Sequence, residues 1–245
     1  MTVLFFAIVK ASMKRTVLII ARNEATHIAE CLESIGRQTV IPDELLLIAH
    51  NCTDNTVNIT KNFPNVRIEE LLTEEQWPIF ARIRWFELAT HEIVACIDGD
   101  SVAADDWLEI VTKPFKDEKV VWVGGHVSFR KSILANIMAM DFFLLWKYRR
   151  DFHFYFWGAN FACRKSVYHL CGWLTLLIRL KKELSSNEYP DDCYLSLALE
   201  KFGRVVYEWR AKVATYPKNM NLFSWLSRGK RQDEDRKRLF RFFGV

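Results

Sequence analysis

Residues 16–21 (TVLIIA), 44–49 (ELLLIA) and 92–97 (EIVACI) are short apolar runs, each followed at once by a polar cluster. Their length and content predict strands buried on both faces. Between the first two, residues 26–36 carry Ile28, Cys31, Leu32 and Ile35 at helical spacing on one face. Pro42-Asp43 breaks the chain before the second run. A helix over 55–62, a third strand over 66–71 and a helix over 82–89 complete the alternation. Strands without a polar face, alternating with helices, predict an α/β fold with a mainly parallel central sheet flanked by helices.

The second half reads differently. Residues 120–129 look like a strand, 133–148 like a strongly apolar helix, and Trp157-Gly158-Ala159-Asn160 like a loop. Asp191-Asp192 opens a helix running to 201, and 205–209 is a further strand. From 222 onward the chain is basic and amphipathic.

In open sheets of this kind, ligands gather at the carboxyl ends of the strands. The clusters Arg22-Asn23-Glu24, His50 to Asp54 and Asp98-Gly99-Asp100 all fall there. Residues two apart in extended backbone point to one side, so the carboxylates of Asp98 and Asp100 can converge on one ion. The glycine between them permits a close approach. Oxygen ligands suit Mg²⁺ or Mn²⁺ bridged to phosphates.

Composition adds bounds. A chain of 245 residues, half of them hydrophobic, suits one α/β domain or one domain with a small appendage. The net charge of +4 is too mild to imply a nucleic-acid partner, and none is expected. Six cysteines without a CxxC pair read as reduced core thiols of a cytoplasmic protein. Cys163, His169 and Cys171 lack both the spacing and the fourth ligand of a zinc site. No stretch approaches the roughly 20 apolar residues of a membrane-spanning helix. Residues 2–9 are apolar but short, with no basic segment before them, which argues against a secretory signal. They add an element to the core, or Met13 is the start.

Taken together, VLIIARNE (17–24), NCTDNT (51–56), Ala81-Arg82, Asp98-Gly99-Asp100, Gly158-Ala159-Asn160 and Asp191-Asp192 resemble the ordered motifs of family 2 glycosyltransferases. The match runs from about residue 16 to 231, and its specificity lies in the order and spacing of the motifs. The resemblance implies a GT-A fold with a small acceptor-side subregion over 1–221, and a basic C-terminal segment over 222–245 packed on it or extending from it. It implies an inverting, metal-dependent transfer of a sugar from a nucleotide-diphospho-sugar, by default a UDP-sugar, to an acceptor hydroxyl. It also implies an acceptor of the glycan or lipid-linked glycan class, in cell-envelope or polysaccharide synthesis.

Site roles follow from the same resemblance. Ala21 and Glu24 would meet the nucleotide, and Arg82 would approach the diphosphate. His50 stands where the family usually has an acidic residue that reads the base, which leaves the base open, while Asp54 keeps the turn's final carboxylate. Asp98 would face ribose and metal, and Asp100 would ligate the metal. Trp157, Gly158, Ala159 and Asn160 would lie beneath the acceptor sugar. Asp192 would be the catalytic base, with Asp191 in the position of the family's preceding glutamate. The pair also reads as an ordinary helix N-terminal capping pair. Arg228 and Arg231 resemble a degraded QxxRW motif that would clamp the diphosphate. The family's metal-binding histidine after the last strand is absent around 214–218, so two aspartates and the diphosphate would have to hold the ion.

Two other readings stay open at this level. Asp98 to Val102 (DGDSV) fits the nucleophile motif of haloacid-dehalogenase-type phosphatases, although that motif normally follows the first strand. A non-catalytic nucleotide-sugar-binding module would keep the sheet and lose turnover. Basic amphipathic segments also lie on anionic membranes, so a peripheral contact with the inner face of the membrane is a further expectation for 222–245.

Overall fold

The computed structural model describes residues 13–73, 84, 86–133, 135–137, 158–170 and 199–216. Strands are β1 (Arg15–Ala21), β2 (Glu44–His50), β3 (Val66–Leu71), β4 (Ile93–Asp98), β5 (Ser101–Ala103), β6 (Val120–Phe129), β7 (Asn160–Arg164) and β8 (Arg204–Thr215). Helices are α1 (Ile28–Gly36), α2 (Thr56–Thr60), α3 (Trp107–Thr112), a 3-10 turn (Lys113–Lys116) and α4 (Lys165–Leu170).

One eight-stranded sheet runs in the order β3-β2-β1-β4-β7-β6-β8-β5. β3, β2, β1 and β4 pair in parallel, as do β6 and β8, while β7 and β5 run against their neighbours. The mainly parallel α/β sheet expected from the sequence is therefore present. Val17, Ile19, Ile97 and Ala95 lie in one apolar cluster with Ile28, Cys31, Leu32 and Ile35 of α1 and Trp107, Leu108 and Val111 of α3. Leu18, Leu46, Ile48, Val94 and Cys96, at the alternate positions, are fully buried as well. Alternation of side chains across a strand means that both sheet faces are covered. Each such aliphatic side chain contributes about 1.5–3 kcal/mol on burial.

Where the structure departs from the sequence reading, the causes are local. Asn160, expected in a loop, begins β7 and pairs with Ile97. β8 is longer than 205–209 because three residues, Trp209 to Ala211, are passed over in its register with β6 between Glu208 and Lys212. This bulge hides the continuity of the strand in an alternation pattern. The helix expected over 191–201 is described only at 199–200, and that over 133–148 only at 133 and 135–137.

Candidate active site

The register lines up the carboxyl edge of the sheet. Ile20 is level with Asp98, Ala21 with Ala49, and Ile97 with Asn160. The tips of β2, β1 and β4 and the start of β7 therefore lie side by side, bringing His50, Ala21, Asp98 and Ala159-Asn160 into one row. The parallel strands put their polar ends together, which is why the sequence clusters recur at one edge.

Each of the first two strands ends in a sharp turn made by asparagine. Asn23 and Asn51 have φ of 56° and 48°, a left-handed conformation that asparagine tolerates better than most residues. Their side chains then tie neighbouring loops. The Asn23 Oδ1 accepts from the Thr53 N–H at 2.8 Å, and Asn51 exchanges hydrogen bonds with the backbone of Thr73 at 2.9 and 3.0 Å.

Asp54 braces the same pair of loops. Its Oδ2 accepts from the Ala25 N–H at 2.9 Å, and its Oδ1 accepts from the backbone N–H and the hydroxyl of Thr56. The Thr56 hydroxyl in turn accepts from the Glu24 N–H at 2.8 Å. Burial works to raise the Asp54 pKa, but the Thr56 hydroxyl and the backbone N–H groups outweigh it and hold the carboxyl below its usual range. Glu24 and His50 are buried beside these loops, and the His50 Nε2 is 3.4 Å from the Asn51 Nδ2. Thr56, which sequence reasoning passed over, joins Glu24 to Asp54.

Asp98 is the last residue of β4, and Gly99-Asp100 forms a turn before β5 rather than the extended pair expected from spacing. Gly99 packs against the tip of β1, its N–H donating to the Ile20 carbonyl at 2.6 Å. A Cβ there would fall 2.9 Å from that carbonyl oxygen and 3.0 Å from the Ala21 Cβ. The glycine is thus required by the neighbouring strand as well as by the turn.

Asp98 and Asp100 flank this glycine. Both bear on the buried Cys31 thiol of α1, which lies 3.6 Å from the Asp98 carbonyl. Burial first, then the charges of Asp100, Asp98 and Glu24, push that thiol far above its ordinary range and keep it protonated. Asp100 is 9% exposed, and its Oδ1 accepts from the hydroxyls of Thr215 at 3.2 Å and Ser101 at 3.3 Å. Among the described residues no group of three His, Cys, Asp or Glu side chains gathers as a metal site. The donor set remains an all-oxygen one of two carboxylates, which fits Mg²⁺ or Mn²⁺ completed by phosphate oxygens and water.

On the far side of Asp98, Asn160 is fully buried and serves the scaffold. Its Nδ2 donates to the carbonyls of His126 and Ala211, both at 2.8 Å, and its Oδ1 accepts from the Trp107 indole N–H at 2.8 Å. It pins the β8 bulge, the β6 irregularity and α3 at one point. Contact with an acceptor through this side chain, as the resemblance implied, has no support in the geometry. Ala159 and the half-buried Gly158 precede it at the edge.

The two sides of the edge meet at a clasp. Tyr216, just after β8, stacks on His27 at 4.1 Å between centroids and donates its hydroxyl to Glu30 at 3.2 Å. Arg130, just after β6, pairs with Glu30 and lies 5.0 Å from the Tyr216 ring centroid. The Arg130 hydrogen bond, opposed by burial and helped by the Tyr216 hydroxyl and by positive charge, holds the Glu30 carboxyl below its usual range. His27 is part of this stack.

The sequence profile described as Glycosyl transferase family 2 matches residues 16–171, more than half of the chain. The chain belongs to that family. Glycosyltransferase AglE of Haloferax volcanii is 31% identical over 119 residues, covering 46% of this chain and 39% of that protein. This family 2 chain therefore spans well under half the length of that relative. Among solved structures, the mannosyltransferase PcManGT from Pyrobaculum calidifontis, in complex with GDP-Man and Mn²⁺, superimposes with a TM-score of 0.60 at 20% identity, over 86% of this chain and 59% of that one. Glucosyl-3-phosphoglycerate synthase from Mycobacterium tuberculosis, in complex with Mn²⁺, UDP and phosphoglyceric acid, gives 0.62 at 16% identity, over 88% and 74%. These likenesses establish the GT-A fold.

Family membership also removes the phosphatase reading, whose motif would follow the first strand; here it follows β4. Arg82, Trp157, Asp191, Asp192, Arg228 and Arg231 lie outside the described residues. So do residues 2–9, Cys171 and the basic segment 222–245. Cys163 is buried in β7. Among the described residues no helix is long and apolar enough to cross a membrane.

Proposed function

We propose that this chain transfers a sugar, with inversion, from a nucleotide-diphospho-sugar to an acceptor hydroxyl. The observation that supports the reading is the position of Asp98 at the end of β4, level with Ile20 of β1, with the buried Asp100 two residues on, in a family 2 chain.

Asp98 and Asp100 would hold a divalent cation, which would supply positive charge against the departing diphosphate. Glu24, His50 and the loops braced by Asn23 and Asp54 seat the nucleoside, and Arg82, Arg228 and Arg231 are the candidate partners of the diphosphate. UDP is the default nucleotide. The buried His50 leaves GDP open, and the two solved structures carry one nucleotide each. Gly158 and Ala159 line the acceptor side, with Trp157 offering an aromatic face.

Asp192 acts as general base, with Asp191 beside it. It takes the proton of the acceptor hydroxyl as that oxygen bonds to the anomeric carbon. The bond from that carbon to the diphosphate oxygen breaks, releasing the nucleoside diphosphate and inverting the centre. Burial of Asp100 at the strand tip supports this reading, because carboxylates held in a dry site act more strongly on a cation than exposed ones. A peripheral contact of 222–245 with anionic membrane would bring a lipid-linked acceptor to this edge.

Release of nucleoside diphosphate from UDP- and GDP-sugars with Mn²⁺ tests the proposal. Turnover is expected for at least one donor, and Asp192→Asn should retain donor binding while losing transfer. A protein that binds donors and never releases product would be a binding module, and the catalytic reading would fall.

A further inference from the structure

Asp100 is joined to the end of β8 across most of the chain. The two lie 115 positions apart in sequence, yet the Thr215 hydroxyl donates to the Asp100 Oδ1 at 3.2 Å. The contact follows from strand pairing. β5 begins one residue after Asp100, and its first residue, Ser101, is level with Thr215 in the antiparallel ladder. On its other side Thr215 is level with Phe129 of β6, and its carbonyl accepts from the Arg130 N–H at 2.8 Å. The next residue, Tyr216, is held by His27, Glu30 and Arg130.

Thr215 is therefore fixed in position on three sides, and the residue is 7% exposed. Its β-branched side chain is also stiff about χ1. A hydroxyl so placed restrains the rotation of the carboxyl group it binds, here together with the Ser101 hydroxyl, which donates to the same Oδ1 at 3.3 Å. A cation site tolerates little rotation in its carboxylate ligands, and the hydrogen-bond partners of such ligands govern affinity.

We propose that Thr215 is a positioning residue for metal binding, orienting Asp100 through its hydroxyl while the Tyr216 clasp holds Thr215 in place. The inference rests on the reading of Asp98 and Asp100 as the cation site. It assigns a task to the last residue of β8, where the sequence offers no histidine.

The test is uptake of Mn²⁺, measured by the spin-resonance signal of the free ion, alone and with UDP or GDP. Thr215→Val, nearly isosteric but without the hydroxyl, should weaken Mn²⁺ binding about tenfold. Thr215→Ser should stay within about twofold of wild type, since the donor is kept. In turnover, the valine variant should need more Mn²⁺ for half-maximal rate and approach the wild-type kcat at saturation. Melting by circular dichroism monitors folding, and Thr215→Ala replaces the valine variant if that one does not fold. Wild-type Mn²⁺ affinity in the hydroxyl-free variant would overturn the inference and leave the cation site standing. Equal weakening by serine and valine would overturn it too. A wild-type protein that takes up no Mn²⁺ under any of the three conditions would bring down both the inference and the reading beneath it.

Discussion

On the β1–β2 side of the edge the chain braces itself with turn chemistry, whereas on the β7–β6–β8 side it relies on one buried amide. Asn23, Asp54 and Thr56 link two loops that each follow a parallel strand directly, and most of their partners are backbone N–H groups nearby. Asn160 instead gathers β6, β8 and α3, elements separated by long stretches of sequence. The difference teaches where rigidity comes from. Distributed loop contacts can be lost one at a time, but a single buried hub leaves several groups unsatisfied at once.

The sharpest way to break the comparison is at the hub. Asn160→Ala would strip partners from the Trp107 indole N–H and from the carbonyls of His126 and Ala211. A loss of about 3 kcal/mol is expected in urea denaturation. Gly125→Ala should do similar damage, because its Cβ would lie 2.4 Å from both polar atoms of the Asn160 amide and 2.6 Å from the Ala211 carbonyl oxygen. A loss well under 1 kcal/mol in both variants would remove Asn160 as the organising residue.

Distributed bracing predicts a smaller effect on the other side. Asp54→Ala should cost about 1 kcal/mol of stability, read by the same denaturation. It should weaken nucleotide binding more than it weakens the fold, because the loops bordering Glu24 loosen.

The smallest expected effect lies at the clasp between the halves. Glu30 has its pKa depressed in the fold, so its contribution is present above the unfolded carboxylate value of about 4 and is lost as pH falls through the folded value. Glu30→Gln should therefore melt below wild type near neutral pH. That difference should shrink on acidification from about pH 6 to about pH 3, as wild-type Glu30 takes up a proton. A difference independent of pH would mean that the Arg130 pairing does not operate.

Much of the donor side was legible because its information is local. Strand β3 has the bounds read from the sequence, and β1, β2 and β4 fall within a residue of theirs. The apolar face of α1 is the one its spacing marks, with Ser34 added. The buried Ser34 is explained by tertiary contact, its Oγ accepting from the Ala103 N–H at 3.1 Å.

The acceptor side was much less legible. β5 is three residues long and β7 opens on Asn160, directly after two small residues, so neither has enough alternation to be seen. Residues 214–218 hold no histidine, and the Thr215 hydroxyl reaches Asp100 only through the β5–β8 pairing. No spacing rule marks such a partner. Asp98 and Asp100 were found by motif, but the reason for the glycine between them lies in the next strand, at Ile20 and Ala21.

The central claim is that Asp98 and Asp100 couple a divalent cation to a nucleoside diphosphate, and calorimetry tests it most directly. UDP and GDP are titrated into wild type and Asp100→Asn, each with and without Mn²⁺. The account predicts that at least one nucleotide binds wild type far more tightly with Mn²⁺ than without it, and that Asp100→Asn abolishes this dependence. Nucleotide affinities indifferent to Mn²⁺ in wild type, or a full Mn²⁺ effect surviving in Asp100→Asn, would contradict it.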